Sequence, residues 1–154
     1  MQELADALSR EHVQLEFLLF KLVELRQLLA AGEHTFLRWA AAEVSRANKR
    51  VHLSAERRLQ LLADYCAEAG LEPDRSNLAT LAQSAPEPWH TILEDHRRNF
   101  RRLLGEIESA HRADRELAGS TQPWLIDILD AAHRPAAITL PGPRQTRSKP
   151  AERF

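Results

Sequence analysis

Seven histidines in a chain of 154 residues are the first place to look for chemistry. His12 is followed four residues later by Glu16, and His52 likewise by Glu56. On a helix, each pair projects from one face at a spacing that binds a metal ion. Glu108 and His111 add one Glu-x-x-His element, of the kind used in di-iron bundles. The constellation is incomplete, because a ferritin-like centre needs two such elements and a carboxylate from each of two further helices. A hemerythrin-like centre needs several histidines from four helices, and His34 falls in a turn. The neighbours Glu11 and Glu56-Arg57-Arg58 are charged, which reads as a wet face rather than a ligand cage. No metal and no cofactor are therefore expected.

Nucleophilic chemistry has no better footing. The five glycines are scattered singly, so no loop can cradle a phosphate. Ser9, Ser45, Ser54 and Ser109 occupy mostly polar helix faces. Cys66 is the only cysteine and sits beside Tyr65 in an apolar run, as a small buried residue of a reducing compartment does. The chain reads as a non-enzyme.

The composition narrows the partners. Charged residues make up 28% of the chain but the formal net charge is −1, without the basic excess of a nucleic-acid binder. The first residues, Met1-Gln2-Glu3-Leu4, are acidic where a secretory leader is basic. The apolar run Phe17 to Phe20 is far short of the ~20 residues of a membrane span. A cytoplasmic protein without stable membrane insertion is expected. Aromatic residues make up only 6%, which favours a thin aliphatic core in an elongated bundle.

The elements that would position these side chains are all helical. Leu4, Leu8, Leu15, Leu18, Leu22, Leu25 and Leu29 form the stripe of a helix over residues 2–31, closed by Gly32. Thr35 is placed to cap a second helix, whose stripe of Phe36, Trp39, Ala40, Val44, Ala47, Val51, Ala55, Leu59 and Leu62 runs to about Ala69. The short connection makes these two an antiparallel hairpin. A short connecting helix follows Pro73, with Ser76 as cap and Leu78 and Leu81 as anchors. Pro86 and Pro88 then admit a third long helix that begins near Trp89 and carries Ile92, Leu93, His96, Phe100, Leu103, Leu104 and Ile107. Gly119 and Pro123 break it near 119–122, and Thr121 or Gln122 opens a short terminal helix. Trp89, Trp39 and Phe20 read as core. Trp124, Leu125, Ile128 and Leu129 form either a surface for a partner or a second copy, or a cap folded back on the bundle. Residues 1–134 make one helical domain, and 135–154 a Pro/Arg-rich disordered tail.

The order of these pieces carries a resemblance. Leu18-Leu19-Phe20-Lys21-Leu22 with Leu28-Leu29-Ala30-Ala31-Gly32, then Leu71-x-Pro73, Leu78-Ala79-x-Leu81-Ala82, and Ala85-Pro86-Glu87-Pro88-Trp89 leading into Ile92-Leu93-Glu94-Asp95-His96-Arg97, resemble one bacterial branch of the FlgN-type flagellar export chaperones over roughly residues 3–120. The resemblance implies a long hairpin joined by a further long helix. It also implies a cytosolic chaperone that binds hook–filament junction (hook-associated) proteins of FlgK and FlgL type, keeps them unassembled and delivers them to the export apparatus. In the family, client binding relies on the end of the last long helix and an Asn-rich repeat. The matching positions here are His111, Asp114 and Leu117, with Asp114 where asparagine is usual. With Trp124, Leu125, Ile128 and Leu129 these are the candidate partner-binding residues. A hemerythrin-like metal-binding or sensing protein, and a coiled-coil scaffold or homo-oligomer, are the alternative functions.

Overall fold

The computed structural model describes residues 1–70, 77–119 and 122–133. Among the described residues five helices are formed: α1 (Gln2–Ala31), α2 (His34–Glu68), α3 (Leu78–Ser84), α4 (Trp89–Ala118) and α5 (Pro123–His133). At ~1.5 Å per residue the three long helices each span ~45 Å or more. Among the described residues no strand occurs, and no helix is long and apolar enough to cross a membrane.

The turn between α1 and α2 is tight because Gly32 takes a left-handed conformation at φ 70°, which a Cβ would disfavour. Its N–H donates to the Leu29 carbonyl at 3.2 Å, and the Glu33 N–H to the Leu28 carbonyl at 3.0 Å, closing the last turn of α1. The chain re-enters a helix so quickly that α2 opens at His34 behind Glu33, with no side-chain cap. Thr35 therefore lies inside the first turn and does not cap it, and His34 is a helical residue rather than part of the turn. Asn77 caps α3 by accepting the Thr80 N–H at 3.0 Å. Ser76, expected in that role, lies outside the described residues, as do Thr121 and the 135–154 tail.

The helices run up, down and up. Glu3 pairs with Arg57 and Glu11 with Arg58, which sets α2 antiparallel to α1. His12 meets Phe100 edge-on at 6.2 Å, and Arg26 lies 3.8 Å from Asp114. Both contacts fall at the same sequence offset, so α4 runs parallel to α1. The central α1 buries Leu4, Leu8, Leu15, Leu22 and Leu25 completely or nearly so against its two neighbours. Each such leucine contributes about 1.5–3 kcal/mol. α3 lies at the start of α4, where Leu78 and Leu81 are buried and His90 Nδ1 sits 2.8 Å from the Ala82 carbonyl. α5 lies near the other end, packed between α2 and α4.

Two core assignments are corrected. Trp39 is 71% exposed and Phe20 52%, and Phe36 is exposed beside Trp39. At its start the buried stripe of α2 runs through Leu37 and Ala41 instead of Phe36, Trp39 and Ala40, and from there it follows the expected Val44, Ala47, Val51, Ala55 and Leu62. Ala41, Ala47 and Ala55 alternate with Leu37, Val44 and Val51 on this buried face, and an indole in place of an alanine would overpack it. Trp89 is only partly buried, and the link between α3 and α4 falls to His90 instead. Cys66 is buried, as its apolar run implied.

Candidate functional site

The end of α4 and the whole of α5 form one packed junction. Pro123 starts α5, and its apolar residues fall on one side, so the helix folds back onto the bundle. Leu125 and Leu129 are completely buried. His111 is buried beneath them, its Nε2 2.9 Å from the Leu129 carbonyl near the C-terminal end of α5. Asn48 of α2 donates to the Ala131 carbonyl at 3.3 Å, and Arg115 pairs with Asp130. Arg38 stacks over Trp124 at 5.6 Å. Of the two roles left open for the terminal helix, the packing is that of the cap.

The seven candidate partner-binding residues are thus brought to one end of the molecule but not onto one surface. His111, Asp114, Leu125 and Leu129 are buried, Trp124 and Ile128 are partly buried, and only Leu117 is exposed. A partner cannot reach the four buried side chains while α5 is docked.

Asp114 is the most strained charge in this junction. Its carboxylate is fully buried, neither oxygen has a hydrogen-bond donor, and the Arg26 guanidinium stands off at 3.8 Å. Burial pushes its pKa up to about 7, with Arg26 pulling only weakly the other way. A second buried charge crosses the hairpin, where Arg58 Nε donates to Glu11 Oε2 at 2.6 Å. Burial raises the Glu11 pKa against the opposing pull of Arg58. These two residues, read from sequence as wet-face neighbours, are in fact core. Arginine's long apolar stem and the single carboxylate partner across the hairpin make that possible.

The histidine pairs do not assemble into a ligand cage. His12 Nε2 lies 3.2 Å from Glu16 on the bundle flank, His52 is half-buried with Glu56 exposed, and Glu108 is turned to Arg112. No three His, Cys, Asp or Glu side chains converge among the described residues.

The surface that sequence reasoning missed lies on the outer side of the α1–α2 hairpin. Among the described residues the large exposed apolar side chains are Val13, Phe20, Phe36, Trp39, Leu53 and Leu117, and all but Leu117 belong to this hairpin. Val13 and Phe20 each sit two residues, about 200° of helix, from buried Leu15 and Leu22. Trp39 stands in the same relation to Leu37 and Ala41, and Leu53 to Val51 and Ala55. All four therefore point away from the core. Phe36 and Trp39 lie 6.0 Å apart, Phe17 and Phe20 6.4 Å apart, and Arg50 of α2 reaches over Phe17 at 5.8 Å. The signal was available in the sequence as apolar residues on both faces of the two helices.

Fold and surface together define an all-helical bundle whose α1–α2 hairpin carries exposed apolar side chains on its outer side. No family model, no curated protein and no solved structure matches the chain.

Proposed function

We propose that this protein is a non-enzymatic cytoplasmic carrier of other polypeptides, a flagellar export chaperone that holds hook–filament junction proteins before assembly and hands them to the export apparatus. The observation that carries the reading is the apolar outer face of the α1–α2 hairpin. Five large hydrophobic side chains stand in solvent on two helices whose opposite faces are already fully used by the core. Large apolar side chains gathered on the outer side of one hairpin point to a binding surface, because leaving them wet costs free energy that a partner recovers. The likeness in order and spacing over residues 3–120 supplies the client class. Junction proteins suit such a surface, because their terminal segments are amphipathic helices when assembled and disordered beforehand.

Co-expression of the tagged chain with untagged junction subunits tests this. A stoichiometric complex on affinity purification and gel filtration is expected. Recovery of the chain alone, with the junction subunits demonstrably soluble and present, would refute it.

A further inference from the structure

We infer that the outer groove between α1 and α2 seats one amphipathic helix whose apolar stripe is flanked by acidic residues. The inference rests on the carrier reading and names the seat and the chemistry of what occupies it.

Two recesses bracket the groove. One, of about 310 Å³, is walled by Leu28, Phe36, Trp39 and Ala40 with Glu24 and Glu43 at its rim. The other, of about 220 Å³, is formed by Ala7, Arg10, Leu53, Ser54 and Arg57. Trp39 and Leu53 mark their positions on α2, fourteen residues and so ~21 Å apart, which is about four helical turns. Phe17 and Phe20 lie between the recesses, with Lys21 Nζ 5.4 and 5.1 Å from their ring centres. Apolar anchors at intervals along a groove of this length match the i, i+3, i+7 stripe of a single docked helix.

The charges choose the occupant. Three acids on this face are tied to cations of the same face: Glu3 to Arg57, Glu24 to Lys21 and Glu43 to Arg46. Glu43 is shared, with Lys21 and Arg50 acting on it beside Arg46, and Arg10 forms no ion pair among the described residues. With Arg10, Lys21, Arg46, Arg50 and Arg57 along it, the apolar groove has cations in excess of acids at its margin. A second copy would bring the same excess of guanidinium groups face to face with it. An acidic helix neutralises them and gains on-rate and register from doing so.

The test is fluorescence anisotropy of the full chain with a labelled designed peptide of about 20 residues, helical, with leucine at i, i+3, i+7 and glutamate beside the stripe. A matched peptide with lysine for glutamate is the control. Saturable binding of the glutamate peptide is expected, weakened about tenfold or more in Phe20→Ser/Trp39→Ser and weakened also in Arg50→Glu. All the substituted side chains lie at the surface, and circular dichroism should not change. The inference is overturned if the glutamate peptide does not bind, if the lysine peptide binds as well, or if the substitutions leave affinity unchanged. Self-association in the ultracentrifuge that Phe20→Ser/Trp39→Ser abolishes would also overturn it, in favour of a second copy. A chain whose capture of junction subunits survives these substitutions keeps the carrier role and loses this seat. One that binds the peptide but no junction subunit keeps the seat and loses the client.

Discussion

Asp114→Asn should make the protein more stable, and increasingly so as pH rises. The buried carboxylate has no hydrogen-bond donor in reach and only Arg26 at 3.8 Å, so its charged form is poorly solvated in the fold. Its pKa rises from 3.8 to about 7. Between those values the folded chain holds a proton that the unfolded chain has released, so stability falls as pH climbs through this window. The loss is complete above about pH 7. At ~1.4 kcal/mol per pH unit the gap amounts to on the order of 4 kcal/mol, an upper figure because Arg26 can swing closer once Asp114 ionises. Asparagine is nearly isosteric with the protonated acid and carries no charge. Urea unfolding of both proteins at pH 4, 6 and 8 should show near-equal stability at pH 4 and a difference of several kcal/mol at pH 8. Parallel stability curves across that range would refute the reasoning, since they would mean that Asp114 is solvated in the native state.

Other perturbations follow from the same packing. Arg58→Met strands the Glu11 carboxylate in the hairpin and should cost about 3–5 kcal/mol, whereas Glu11→Leu/Arg58→Met should be neutral or stabilising, both read from urea unfolding. His96 is held below its ordinary pKa mainly by burial and secondarily by His12, so its neutral form belongs to the fold. Stability should be lost as pH falls through the unfolded value near 6.5, and His96→Gln should flatten that acid limb in thermal melts. Truncation after Ala118 removes the buried Leu125 and Leu129, each contributing about 1.5–3 kcal/mol. The truncated chain should keep its helical circular dichroism and melt several degrees lower, while binding of the designed acidic peptide is unchanged because the hairpin groove lies elsewhere.

The helices themselves were legible because leucine spacing, single glycines and prolines act locally. The limits of α1, the Gly32 turn, the Leu78 and Leu81 anchors and the break after Ala118 all follow from neighbours within a turn or two. What failed was the choice between adjacent faces in the first turns of α2. Phe36-Trp39-Ala40 and Leu37-Ala41 are both apolar stripes one position apart, and both lead into Val44. Only packing against the other helices selects Leu37 and Ala41, and packing is a tertiary quantity. The same ambiguity hid the outer face, because large side chains were assigned to the core by size. Glu11 and Arg58 were misread for a related reason: each is a surface residue by type, and only the antiparallel register brings their charges together. The α4–α5 junction was located correctly along the chain, but one-dimensional pattern could not tell an open apolar helix from one folded back onto His111.

Calorimetric titration of the purified chain with an unassembled hook–filament junction subunit tests the carrier role most directly. One-to-one binding in the micromolar range or tighter, with a negative heat-capacity change from burying the apolar hairpin face, is predicted. Loss of that heat in Phe20→Ser/Trp39→Ser would place the contact on the outer groove. A flat titration with folded wild-type protein and folded subunit would contradict the role itself.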